Sequence, residues 1–504
     1  MIRLLRSLRR SRDKQRDAAS NRDSDPWALH KTLISVGPDD ITIGRAVEGT
    51  LIFGATGSGK TSGSGQLLAR SYLDAGFSGL VLCAKSEERR IWEKYCAECS
   101  RLDDLVIFGP GQPWRFNALD YELHREGAGA GLTENIVNLL SAILELAERN
   151  SSQGGGKEDE GYWKRALKQL LRNLVDLLVM AKGSVSVPEL YRLVVSAPTS
   201  LDQVRSEEWR KRSFCFQCLI EGERREKSPR EEHDFGIVAD YFMLEFPGLS
   251  DKTRSIVVST CTSMVDVLNR GILRELFCGE TNITPKDIED GKIIVVDLPV
   301  KEFGDVGQFA AAIWKYCFMR SIERRDVRQS PRVAFLWEDE AQNFTMSYDM
   351  QFQATCRSAR VAVVALSQNI SNFYATLGDG QKGRALADSL FGNLNLKIFH
   401  ANGDAVTNQW ASEMIGKSRQ YMANANNSYS PTDVWSALTG SGPAQTSAGV
   451  SEQMQFELEP SVFTQLRTGG AANKFIVDAI MFCNGVNFKT TGRPWMPVTF
   501  NQRQ

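Results

Sequence analysis

The sequence predicts an α/β protein: a mainly parallel sheet that carries a phosphate-binding loop and is interrupted by an inserted all-α domain. Three observations carry this prediction. Residues Gly54, Ala55, Thr56, Gly57, Ser58, Gly59, Lys60 and Thr61 spell a complete G-x-x-x-x-G-K-[ST] loop, between an apolar run and a helical pattern. Short runs that are apolar almost throughout recur along the chain, the signature of strands buried on both faces. Between about Gly127 and Pro285 the hydrophobic period changes from strand-like to helical.

The elements follow in chain order. Residues 1–30 form a basic arm, with Arg3, Arg6, Arg9, Arg10, Arg12, Lys14 and Arg16 against Asp13 and Asp17. Ile2, Leu5 and Leu8 share a helical face, so the arm reads either as an amphipathic helix on an anionic membrane surface or as a solvated tail. Residues 31–126 form the first part of the nucleotide-binding domain, with strands at Thr50–Phe53, Gly79–Ala84 and Leu105–Phe108. In the loop after the first strand, backbone amides cradle the α- and β-phosphates, Lys60 reaches the β/γ oxygens, and the Thr61 hydroxyl holds Mg²⁺. Residues 127–285 are the helical insertion. Its stripes are Ile136, Leu139, Leu140, Ile143 and Leu144, then Trp163, Leu167, Leu170, Leu171, Leu174 and Leu178. Ser151–Gly156 links these two stripes, Pro188 suits a first helical turn, and Glu221–Glu232 reads as a charged surface loop.

Residues 286–504 complete the α/β domain, with strands at Lys292–Leu298, Val333–Trp337, Val361–Leu366, Asn395–Phe399 and Phe475–Phe482. The acidic partner that a phosphate loop needs, a carboxylate-rich strand end, stands at Glu338-Asp339-Glu340. Asp339 suits the Mg²⁺ water shell and Glu340 the base for hydrolytic water, because ligands bind at the carboxyl edge of such sheets. Gln368 follows the next strand and is placed to sense the γ-phosphate. Arg357 and Arg360 precede that strand, and an arginine there suits a finger that stabilises transition-state charge. Residues 424–449, rich in Ser, Asn, Gly and Thr, are expected to be a mobile loop.

Composition limits the alternatives. The 504 residues carry a net charge of −1, so nucleic-acid binding would have to come from a local patch or pore. No window approaches the ~20 apolar residues of a membrane span, and no signal-peptide pattern is expected. Ten cysteines without an export signal read as free thiols in a reducing cytoplasm. Cys96-x-x-Cys99 and Cys215-x-x-Cys218 have ligand spacing, but neither has a Gly- or Pro-rich knuckle, so buried thiols are preferred to a zinc site.

Taken together, these residues resemble the coupling ATPases of type IV secretion and conjugation, the TraG/TraD family. The resemblance runs from about Gly49 to Arg493. Its pieces are the loop Phe53–Thr61, the segments Trp114–Asp120 and Asp251–Ser255, Asp297-Leu298-Pro299, Trp337–Ala341, and Val364–Asn369. It implies a RecA-like motor domain with a membrane-distal all-α domain, assembled as a homo-hexamer that hydrolyses ATP with Mg²⁺ at subunit interfaces and works on DNA, single-stranded by expectation. It implies a relaxase or other secreted substrate as partner. It also assigns the sensing glutamine to Gln368 and the trans arginine finger to Arg357, eleven residues before it, with Arg360 in reserve. Most of the family carry an N-terminal transmembrane stem where this sequence has a basic tail. The expectation is therefore a cytoplasmic protein, peripheral at the inner membrane through the arm or through a membrane-anchored partner subunit. Two readings compete with coupling: a soluble DNA translocase like the FtsK and HerA relatives, and a nucleotide-gated substrate receptor with little turnover.

Overall fold

The computed structural model describes residues 25–150, 160–378, 380–429 and 444–503. The amphipathic face expected at Ile2, Leu5 and Leu8 and the link Ser151–Gly156 lie outside the described residues. The chain divides into two compact units, Met1–Ile52 with Ser64–Ser367 and Asn372–Leu396, and Phe53–Gly63 with Gln368–Ser371 and Lys397–Gln504.

The first unit opens on a hairpin, β1 (Thr32–Val36) and β2 (Asp39–Thr42), whose turn uses Gly37 at φ +60°. Neither strand is expected from the sequence. The main strands are β3 (Thr50–Phe53), β4 (Ser78–Leu82), β5 (Leu105–Phe108), β6 (Ile293–Val296), β7 (Ala334–Glu338) and β8 (Val361–Ser367), in the order β3-β8-β7-β4-β6-β5. β8, β7, β4, β6 and β5 run parallel. Every residue of β3, β4, β6, β7 and β8 is buried, which is why these strands read as continuous apolar runs. Only β5, at the edge, alternates.

Helices occupy Thr133–Asn150, Glu160–Lys182, Val187–Ser196, Phe214–Arg224, Pro229–Asp240 and Asp251–Leu268. Their buried stripes include Leu139, Leu140 and Ile143, then Leu170, Leu171 and Leu174, then Val257, Cys261 and Met264. The helix Val187–Ser196 has Pro188 in its first turn. Glu221–Glu232 is a loop only at its centre, residues 225–228. The helix Phe214–Arg224 runs into it, and Pro229 starts another behind a reciprocal Ser228–Glu231 capping box, so the outer charges lie on helix surfaces and Arg225, Glu226 and Lys227 on the connection. Among the described residues, no single helix is long and apolar enough to cross a membrane. Asp25 and Trp27, placed with the arm in the sequence reading, are docked: the Trp27 indole donates to Ala75 O at 2.9 Å.

The second unit holds β9 (Leu396–His400), β12 (Ile476–Cys483) and β13 (Trp495–Asn501), in the order β13-β12-β9, with β12 and β13 antiparallel. It also holds β10 (Lys417–Tyr429) and β11 (Ala444–Phe456). These correct the expectation of a mobile loop at 424–449. Residues 424–429 and 444–449 pair as antiparallel strands, continuing a ladder that begins at Lys417↔Phe456. The backbone groups satisfy one another, and the polar composition conceals the strand because it offers no apolar alternation to read. The centre of that segment, 430–443, lies outside the described residues.

Candidate functional site: a phosphate cradle and an acidic strand end

The phosphate loop belongs to the second unit. β3 delivers the chain to Gly54, and the loop turns back on itself through Ser58 N–H to Ala55 O at 3.1 Å. Gly57 at φ +76° and Gly59 at φ +86° occupy backbone that other residues enter at a cost. A Cβ at Gly59 would stand 2.6 Å from Val477 Cγ2, and one at Gly54 would stand 2.8 Å from His400 Cβ. The loop is therefore packed from below while its tip, Thr56 and Gly57, is exposed. Lys60 is buried, and the Ser58 hydroxyl is buried without a hydrogen-bond partner among the described residues. Thr61 opens a wide π-helical turn, Thr61–Gly65, ahead of the helix Gln66–Asp74. A glycine-lined cradle with a buried lysine, an orphaned hydroxyl and a helix start is the donor set that a nucleotide's phosphates require.

Two consecutive residues after β9 hold this loop and Gln368. Ala55 N–H donates to Ala401 O at 2.9 Å, and Asn402 Nδ2 donates to Gln368 O at 2.9 Å. Farther along, Ile370 N–H donates to Thr407 Oγ1 at 2.9 Å. The structure thus brings Gln368 and the loop of Lys60 onto one support. His400, beneath the loop, is a residue that sequence reasoning missed. Burial first, then the nearby Lys60 charge, push its imidazole down to about 3, so it is neutral. Its only sequence signal was a polar residue closing an apolar strand.

The acidic pair belongs to the first unit. Asp339 and Glu340 follow β7 directly, and both are buried. Glu340 has left-handed backbone, φ +53°, and its N–H donates to Asp339 Oδ1 at 2.9 Å. Lys85, three residues beyond β4, lies 3.0 Å from Glu340 Oε1 and 4.0 Å from Asp339 Oδ2. Burial acts to lower the Lys85 ammonium, but Asp339 and Glu340 outweigh it, and the net shift is upward. Glu88 accepts from Ala84 N–H at 2.9 Å. Burial, then Asp339, raise its carboxyl well above the usual range. Glu338 points away from this edge into a buried ion cluster with Lys315 and Asp349. Burial raises the Glu338 carboxyl to about 7, against the pull of Lys315. Sequence reasoning missed Lys85, Glu88 and Lys315, because each acts across elements distant in the chain.

The two arginines have different fates. Arg357 is 65% exposed, with Glu48 Oε1 at 3.4 Å. Arg360, the reserve finger, is engaged within its own unit: Nη1 donates to Asp25 Oδ2 at 2.8 Å and to Pro331 O at 2.9 Å, from a residue at φ +53°. It is a structural residue, and the reserve assignment is withdrawn. Cys215 and Cys218 are buried in the helical insertion. Burial pushes the Cys218 thiol up to about 11 and that of Cys96 to about 12.

Known proteins resemble this chain in sequence segment and in fold. Residues 332–458 match the family described as the TraM recognition site of TraD and TraG. No curated protein matches the chain. Among solved structures, the unbound bacterial conjugative coupling protein TrwBdeltaN70 superposes with a TM-score of 0.58 at 14% identity, covering 94% of this chain and 91% of that one. The plasmid coupling protein TrwB in complex with the ATP analogue ADPNP gives 0.57 at 15% identity, with the same coverage. TrwB with ADP and Mg²⁺ gives 0.58 at 14% identity, again covering 94% and 91%. The fold is thus α/β, RecA-like, with an inserted all-α domain. Residues 332–458 thus match a family described by TraD and TraG, and the chain as a whole is similar in fold to solved conjugative coupling proteins.

Proposed function

We propose that this chain is an ATP-hydrolysing coupling protein that moves DNA, or a DNA-bound protein, to a conjugation or type IV secretion machinery. The carrying observation is the cradle: glycines that admit no side chain, a buried Lys60 and an unpartnered Ser58 hydroxyl. ATP would lie with its phosphates on Gly54–Thr61. Thr61 and Asp339 would hold Mg²⁺, which when bound supplies charge neutralisation at the transferring phosphoryl group. Glu340 would take the proton of the attacking water, and Gln368 would hydrogen-bond that water or the γ-phosphate. Arg357, exposed and lightly held, is available to a neighbouring subunit of a homo-hexamer.

The finer readings are ours as well. A relaxase or another secreted protein is the cargo, with single-stranded DNA as its tail. An accessory protein binds within the segment 332–458, a reading supported by its match to a TraM recognition site. The protein works at the cytoplasmic face of the inner membrane, held by its basic N-terminal arm or by a membrane-anchored subunit.

The deciding experiment measures ATP hydrolysis and oligomeric state together, with and without single-stranded DNA. DNA-stimulated turnover that weakens with salt and accompanies ring formation is expected. A rate indifferent to DNA would favour a nucleotide-gated receptor.

A further inference from the structure

We propose that Lys85 and Gln342 are positioning residues for Glu340, gripping both oxygens of its carboxylate so that it presents one orientation. This rests on the reading of Glu340 as the hydrolytic base. Lys85 Nζ lies 3.0 Å from Glu340 Oε1. Gln342 Nε2 donates to Glu340 Oε2 at 3.2 Å. Gln342 is itself held, because Ser367 Oγ donates to its Oε1 at 2.8 Å. A glutamate's terminal torsion is broad and soft. One contact leaves the carboxylate free to swing, whereas two contacts from different elements fix its plane.

Both arms are built into the sheet. β4 pairs with β7 in parallel register, Leu82 opposite Glu338, so the chain leaving β4 runs beside the chain leaving β7. The turn that carries Lys85 is pinned on two sides, by Ala84 N–H on Glu88 Oε2 at 2.9 Å and by Lys301 N–H on Ala84 O at 3.1 Å. The other arm ends on Ser367, the last residue of β8 and the one before Gln368. Glu340 needs such support. Its backbone is left-handed, and its neighbour Asp339 is a second buried carboxylate that repels it. Lys85 supplies the opposing charge, and Gln342 supplies direction without charge. The grip also ties the base to the tips of the strands on either side of β7, since β4 and β8 are its two neighbours.

Steady-state ATP hydrolysis by the full chain tests this, with MgATP binding measured separately on each variant. Lys85→Met is expected to lower kcat about 10- to 100-fold, the scale of a misplaced catalytic group. The KM for MgATP should stay within about 3-fold, and Lys85→Arg should recover part of the rate. Glu340→Gln combined with Lys85→Met should lose far less than Lys85→Met loses in the native background, because the 3.0 Å contact acts through Glu340 while Asp339 stands farther off at 4.0 Å. An equal loss in both backgrounds would overturn the clamp. So would a raised KM with normal kcat. Gln342→Leu removes the uncharged arm and should show the same split even if Lys85→Met does not fold. Normal turnover by Lys85→Met beside a slow Glu340→Gln would sink the clamp alone. Normal turnover by Glu340→Gln would remove the base assignment and the clamp with it.

Discussion

Lys315 Nζ lies 2.6 Å from Oε1 of Glu338, the last residue of the strand that leads into Asp339 and Glu340, with the lysine only 1% exposed. Its second carboxylate, Asp349, stands at 2.6 Å and also accepts from Met346 N–H. The cluster ties β7 to the segment that follows the acidic pair. Removing one partner leaves charge buried and uncompensated. Lys315→Met is therefore expected to destabilise the fold by roughly 3–5 kcal/mol. Chemical denaturation measures this directly, and a loss below about 1 kcal/mol would mean that water reaches the cluster.

Gly59→Ala is expected to abolish tight nucleotide binding. The new methyl meets Val477 at 2.6 Å on backbone at φ +86°, so the loop must move away from β12. Gly57→Ala, with open space around the added carbon, should cost only the strain of its left-handed backbone, about 1 kcal/mol. Fluorescent-nucleotide titration separates the two, and equal losses would refute the packing argument.

Arg357→Ala subunits mixed with Lys60→Ala subunits are expected to recover ATP hydrolysis that neither variant shows alone. The recovery follows if the exposed Arg357 acts on a neighbour's nucleotide. No recovery at any mixing ratio would place the finger elsewhere. Arg360→Ala should instead lower stability, since its guanidinium holds Asp25 and Pro331.

Acid should weaken the fold through His400. Its folded pKa of about 3 lies below the unfolded value of 6.5, so the unfolded chain binds the extra proton. The neutral imidazole's full contribution is present above pH 6.5 and is lost as pH falls from there toward 3. Between pH 7.5 and 4.5 the native protein should lose roughly 2–3 kcal/mol more than His400→Gln, at about 1.4 kcal/mol per pH unit below 6.5. Parallel losses in the two proteins would show that His400 is protonated in both states.

Much of the catalytic frame was legible because local rules write it. The turn at Gly57 and Gly59 needs residues without side chains, and β7 and β8 are apolar throughout because both faces are covered. Where the sequence was silent, the interaction joins distant residues. Lys85 and Glu340 are 255 positions apart, and nothing around Lys85 distinguishes it from a surface lysine. β10 and β11 were misread because paired polar strands carry no apolar alternation. Arg360 stands in reserve behind Arg357 on sequence alone, since spacing says nothing of where a guanidinium is already committed.

The support at the tip of β9 has a mechanical consequence. Ala401 holds the phosphate loop through its carbonyl, and the adjacent Asn402 holds Gln368 through its side-chain amide. Loop and glutamine are geared to one tooth. A displacement of that tip shifts the phosphate loop and Gln368 together, with only the short Asn402 side chain between them to take up slack. A single residue inserted between Ala401 and Asn402 would throw the two out of mesh while leaving each intact.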